Sequence, residues 1–274
     1  MDAQLIANET GPATGDVLDL PEYFEYLKEH LDVRDHASVL ATGPQLLALA
    51  RNKRFLADFL INALSKPARF QEGNGYAGPV IILGAGEGYM VRAIGWPAAH
   101  QEARTPSNLG VHAYDGEAQV AHNHNFSILS TCYAGPGYET DLYEWRALSD
   151  GDLKRDDRVE LRFCGRKKLE QGKLMFYRAF QDAHVQYEPP AYSVSLNLLV
   201  HPGEEDLGDQ YYFDVRNHTI VAPGGLGNDR RTQLILLAAA LGDRRFVPHL
   251  EHIVATHPTD RVRDAARHAI AEIG

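Results

Sequence analysis

Between Val80 and Val200 the chain is a succession of short apolar or alternating runs, VIIL, YMVRAIGW, FSILSTCYA, TDLYEW, VELRFC, LMFYRAF and YSVSLNLLV, parted by glycine, proline and polar clusters. Their number, spacing and aromatic or β-branched content select an antiparallel β architecture, either a sandwich or a barrel. No helix-length periodicity interrupts them.

The flanks follow a different rule. Residues 20–65 read as helices, opening where Asp19 and Pro21 precede EYFEYLKEHL. Leu46, Leu47, Ala50, Phe55, Phe59, Leu60 and Ala63 recur at three- and four-residue steps, an apolar stripe that must lie on something, and the β segment is at hand. Beyond the acidic loop HPGEEDLGDQ and the turn PGGLGND the tail is helical again. Its last two helices resemble one HEAT-type hairpin, with His257, Pro258, Val262, Arg263, Ala265 and Ala266 in the pattern HP-x-x-x-VR-x-AA. A single repeat cannot stack into a solenoid. The tail therefore reads as a cap over an edge or mouth of the barrel, or as a docking surface for a protein partner. The division expected is a helical segment over 1–75, a barrel over 76–222 and a helical extension over 223–274.

With 274 residues, 44% of them apolar, the chain can bury a full core. Its net charge of -10, with no Lys/Arg-rich run, argues against a nucleic-acid partner. The first thirty residues carry no charged segment leading into an apolar one, and no stretch is long enough for a membrane, so the expectation is a cytoplasmic protein. Cys132 and Cys164 lack the spacing of a zinc site and read as buried or free thiols.

His122 and His124 stand one residue apart in AHNHNF, just before an apolar run. Side chains alternate across a strand, so such a pair presents both imidazoles on one face, about 7 Å apart at the backbone. A third ligand must come from another strand, and His184, shortly before Glu188, Pro189 and Pro190, is best placed. Three imidazoles suit iron, zinc, nickel or copper better than magnesium or calcium. His112 competes as a ligand or a supporting group; His201, His249, His252, His257 and His268 read as loop or helix-surface residues. Gly84, Gly86 and Gly88 are spaced for a hairpin turn and not for a dinucleotide loop, and the PGGLG run at 223–227 reads as a flexible connection.

RAIGWP, AHNHNFS, GPGYETDLYEW and AHVQYEPPAYSVSLNLL together resemble the cupin superfamily, in particular its cysteine-dioxygenase-like, three-histidine branch. The resemblance covers about residues 76–200, with residues 97–117 as an insertion. It implies a mainly β fold, a cupin-type antiparallel β-barrel or jelly roll carrying N-terminal helices and a C-terminal HEAT-like extension. It also implies His122, His124 and His184 as ligands of Fe(II), with zinc, manganese or nickel as alternatives. Ordinary cupins add a glutamate soon after the histidine pair; here NFSILST offers none. The position of that branch's crosslinked cysteine is Leu129, with Cys132 three residues on, and its substrate-binding arginine has no counterpart in register upstream of Trp96.

Three neutral ligands leave a ferrous ion its full charge and open positions for substrate and dioxygen. The expected activity is that of a non-heme Fe(II) oxygenase, a dioxygenase or hydroxylase, on a small polar metabolite such as an amino acid or thiol. The alternatives are a zinc- or manganese-dependent isomerase, lyase or hydrolase, and a non-catalytic binding barrel with a partner-docking tail. Strand parity puts Phe176, Arg178, Phe180 and Asp182 on the face of His184, making Arg178 the candidate for a substrate carboxylate or else one half of a structural ion pair. Tyr138 and Tyr143 are candidates for a proton or oxyanion contact, Arg92 is a weaker candidate, and Trp96 is expected in the core. Exposed antiparallel edges would permit a homodimer.

Overall fold

The computed structural model describes residues 5–6, 17–76, 79–98, 120–201, 207–224 and 227–274. Four helices come first: α1 (Leu20–His30), α2 (His36–Ala41), α3 (Gly43–Arg51) and α4 (Phe55–Leu64). Asp19 begins α1 as expected, its carboxylate accepting from the Glu22 amide while Glu22 reaches back to the Asp19 amide. The strands are β1 (Leu5–Ile6), β2 (Val80–Gly86), β3 (Tyr89–Trp96), β4 (Val120–Asn123), β5 (Ser127–Ala134), β6 (Glu139–Ala147), β7 (Val159–Lys168), β8 (Leu174–Tyr177), β9 (Asp182–Tyr187), β10 (Ser193–Val200), β11 (Gln210–Asp214) and β12 (Thr219–Gly224). Helices α5 (Gly227–Leu241), α6 (Val247–Thr256) and α7 (Asp260–Ile273) close the chain.

All strand pairs are antiparallel and fall into two sheets, ordered β1-β8-β5-β10-β3-β2 and β12-β11-β4-β9-β6-β7. The pairing is nested: β3 with β10, β4 with β9, β5 with β8, β6 with β7. One long hairpin has been rolled so that alternate pairs land in opposite sheets, which is the jelly roll. The glycines at 84, 86 and 88 form the β2–β3 hairpin, with Gly88 at φ 74.

Parity sorts the first sheet into two faces. Val91 and Ala93 of β3, Leu129 of β5, and Leu196 and Leu198 of β10 point outward and pack against Leu46, Leu49 and Ala50 of α3. That is where the apolar stripe of the N-terminal helices is spent. Gly43 at the start of α3 lies so near β8 that an added Cβ would fall 2.5 Å from Leu174 Cδ1. Trp96, Ile128, Met175 and Leu199 point inward to a second cluster. Helices α5 to α7 hold a cluster of their own around Ile235, Leu250, Val262 and Ala266. They reach the barrel through polar bonds: both carboxylate oxygens of Asp152 accept from the Asp260 and Arg261 amides at 2.8 Å, and Arg261 clasps Asp209 with one bond of 2.9 Å.

One expectation needs correction. LMFYRAF is not one strand, because β8 stops at Tyr177 and the chain crosses to the other sheet through a turn with Phe180 at φ 59. The turn is closed by Asp182, which accepts from the Arg178 amide at 2.7 Å. The acidic loop also leads into a further hairpin, β11 and β12, that extends the second sheet. His112 and most of the 97–117 insertion lie outside the described residues, as do residues 202–206 of the acidic loop and 225–226 of the PGGLG run.

Candidate metal centre

The second sheet carries the histidines in one row. Tyr212 of β11 pairs with His122 of β4, His122 with His184 of β9, and His184 with Leu142 of β6. His124 follows two residues after His122, just beyond the end of β4, and shares its side of the sheet. Its backbone is fixed by the β8–β9 turn, whose Phe180 amide donates to the His124 carbonyl at 2.8 Å. Asn123, between the two histidines, points the other way and accepts the Tyr211 amide at 2.6 Å, locking β4 to β11.

The three rings converge. Centroids lie 4.9 Å apart for His122 and His124, 4.3 Å for His122 and His184, and 5.2 Å for His124 and His184. One nitrogen from each lies within 4.8 Å of the others, and the Nε2 atoms of His124 and His184 are 3.0 Å apart. Two nitrogens bound at right angles to one ion, each at about 2.1 Å, are separated by about 3 Å. Burial, reinforced by the neighbouring His122 and by Arg92, holds His124 and His184 well below the usual imidazole range, so both are in the neutral form a metal requires. These residues fit a divalent ion, and no carboxylate joins the group among the described residues.

The first sheet supplies the opposite wall. Arg92, Asn197 and Ser130 stand in one cross-strand row on β3, β10 and β5, facing inward. The Trp96 indole donates to Ser195 at 2.9 Å, Ser195 pairs with Asn197 at 3.4 Å, and Asn197 donates to Ser130 at 2.7 Å. The space between the walls is a cavity of about 170 Å³ bordered by all three histidines. An inward-facing histidine row across a nested β-roll decides the architecture.

This is a cupin fold. No protein-family model and no curated protein matches the sequence. Among solved structures the cupin barrel is similar to the salicylate 1,2-dioxygenase of Pseudaminobacter salicylatoxidans, at 13% identity over 53% of this chain and 34% of that one, with a TM-score of 0.27. It is also similar to a hydroquinone 1,2-dioxygenase crystallised with Cd2+, at 12% identity over 46% of this chain and 66% of the other, TM-score 0.26. An RmlC-like cupin from Shewanella frigidimarina aligns at 14% identity over 47% and 79% of the two chains, TM-score 0.22. The aligned part spans about a third of the salicylate enzyme and two thirds of the hydroquinone enzyme. Strand order and register, and not these alignments, establish the architecture.

The cupin cavity takes some of the expected residues and leaves others out. Tyr138 lines it, its ring 4.3 Å from Trp96 and its hydroxyl 3.5 Å from that of Tyr177. Burial pushes both phenols up, so each stays protonated. Tyr143 does not: Leu142 faces the histidines, so its neighbour faces outward, packing 5.4 Å from Phe163. Arg178 is likewise outside the cavity, because the Phe180 turn ends the parity on which its placement depended. It binds Asp182 at 2.6 Å and Glu144 at 2.9 Å, apart from the cavity lining. Phe176 packs outward against His36. Arg92, the weaker candidate, is the arginine that lines the cavity. Its signal was the four-residue step to Trp96, which puts both on one face of β3. Tyr177, whose ring lies 4.5 Å from His184, faces inward by alternation with Met175 on β8, the parity opposite to the one the sequence reading placed inside with Phe176. Cys132 is buried with its thiol against the Ala134 carbonyl, and burial pushes that thiol up. His257, read as a surface residue, is buried and accepts the Thr259 amide at 3.1 Å.

Proposed function

We propose that this cupin is a non-heme Fe(II) oxygenase, a dioxygenase or hydroxylase, acting on a small polar metabolite. The observation that carries the reading is the convergence of three imidazoles, without a carboxylate among the described residues, on one side of a small cavity. His122, His124 and His184 would hold a ferrous ion, which when bound would supply oxygen-activating chemistry in the cavity. The chain's own groups do the rest. Tyr138 offers a protonated hydroxyl to a substrate oxygen, and Tyr177 orients that hydroxyl from 3.5 Å. Trp96, Ile94 and Phe126 keep the wall apolar, which strengthens each polar contact inside.

The test is elemental analysis of the purified protein beside His122→Ala, His124→Ala and His184→Ala, with oxygen uptake followed after ferrous loading. Near-stoichiometric iron, lost in all three variants, and iron-dependent oxygen uptake with a substrate are the expected results. Full metal retention in His184→Ala would sink the three-histidine assignment. Turnover without oxygen would instead favour a zinc- or manganese-dependent isomerase, lyase or hydrolase on the same barrel.

A further inference from the structure

His122 and His124 are each followed by an asparagine, and both asparagines bind β11. Asn123 takes the Tyr211 amide at 2.6 Å, and Asn125 Oδ1 accepts from Gln210 Nε2 at 2.9 Å. The antiparallel ladder between β4 and β11 pairs Tyr212 with His122. Continued by two residues, it sets Gln210 opposite His124 on the same inward face. Gln210 accordingly lines the cavity together with the three histidines.

The orientation of the Gln210 amide follows from its neighbours. Asn125 gives its own Nδ2 to the Gly208 carbonyl at 3.5 Å, so its oxygen faces Gln210 and only a donor can meet it there. That uses Nε2 and turns Oε1 toward the His124 ring, to which the Gln210 side chain is hydrogen-bonded. His124 Nδ1 finds no partner among the described residues, which puts this contact at Nε2, the nitrogen 3.0 Å from His184 Nε2. An uncharged oxygen therefore sits where the imidazole nitrogens converge. The stem of Gln210 is held as firmly as its head. Gly224 of β12 pairs with Gln210, and a Cβ there would lie 3.4 Å from the Gln210 Cβ. Asp209, the preceding residue, is bound by Asn228 at 2.8 Å and by Arg261 at 2.9 Å. A donor fixed in place before an ion arrives loses little freedom in binding it.

We infer that Gln210 is a fourth protein ligand of the metal centre, its amide oxygen joining the imidazoles of His122, His124 and His184. The inference rests on the metal-centre reading of the three histidines and makes the donor set three nitrogens and one uncharged oxygen. An amide carbonyl is a hard donor, and unlike a carboxylate it leaves the ion its full positive charge. On an octahedral ion two positions, and not three, then stay open to exogenous ligands.

The experiment uses cobalt(II) on the full-length protein. A crystal structure of the cobalt-loaded wild type, with the ion located by anomalous scattering, is expected to place Gln210 Oε1 about 2.0 to 2.2 Å from it, the range of an oxygen ligand. Gln210→Leu is expected to release cobalt to EDTA roughly tenfold faster than wild type, with the circular dichroism of the fold retained. Gln210→Glu, which keeps an oxygen at that position and adds charge, is expected to release it more slowly than wild type. An ion lying about 3 Å or more from Oε1, or release from Gln210→Leu at the wild-type rate, would overturn the inference. Failure of the wild type to bind cobalt, or full retention of cobalt by His184→Ala, would instead overturn the three-histidine reading, a separate failure visible before Gln210 is changed.

Discussion

Arg178 shows how a residue in a plausible sequence position can have a different occupation. Its side chain is 12% exposed and that of Asp182 is 0% exposed, and the pair closes the turn that hands the chain from one sheet to the other. Removing one member of a buried, hydrogen-bonded pair costs about 3 to 5 kcal/mol. Arg178→Met is therefore expected to lower the melting temperature while leaving metal stoichiometry intact; loss of substrate affinity at unchanged stability would contradict this assignment. Bonds from Arg162 and Arg178 hold the Glu144 carboxyl below the usual range. A carboxyl depressed in the fold stabilises above its unfolded value near about 4.3 and loses that contribution as pH falls. The stability gap between wild type and Arg178→Met should accordingly narrow on acidification below about pH 4, as followed by denaturant titration. The histidines were legible because a pair one residue apart keeps its facing under any register. Arg178 and Tyr143 were not: the first depended on a strand continuing through Phe180, the second on which parity of β6 faced inward.

At the scale of elements, β4 has four residues, yet it presents His122 and leads directly to His124. It is held by β9 on one side and β11 on the other, and Asn123 ties it to β11 through the Tyr211 amide. Asn123→Ala leaves that buried amide without its acceptor, at a cost of about 1 to 3 kcal/mol. The expected outcome is weaker metal retention under chelator competition as well as reduced stability, because the slack falls on the strand bearing two ligands. Unchanged chelator resistance would mean that β9 alone suffices to position β4. The strands that alternate cleanly, β3, β5 and β10, could be read from the sequence, and so could the helices laid over them. The β11–β12 hairpin could not, since its short runs follow an acidic, glycine-bearing stretch and pair with each other and with β4.

At the scale of the molecule, the C-terminal helices meet the barrel mainly through charge. Arg261 grips Asp209, Asp152 takes the first amides of α7, and Asn228 donates to Asp209 at 2.8 Å. Asp209 immediately precedes Gln210, which lines the cavity. Arg261→Ala is expected to cost about 1.5 kcal/mol, the low end for bonds to charged groups, and to raise amide exchange across α7 and at the start of β11 together. Faster exchange in α7 alone would show that the clasp is not shared with the barrel. The Trp96 ring, pressed against Tyr138 on the cavity wall, has a practical consequence. The chain holds two tryptophans, and the other, Trp145, packs on the far face of the second sheet beside Tyr211 and Phe213. With Trp145→Phe and excitation at the red edge, where the thirteen tyrosines do not absorb, the emission comes from a single indole on the cavity wall, so occupancy of that cavity becomes an optical signal that needs no label.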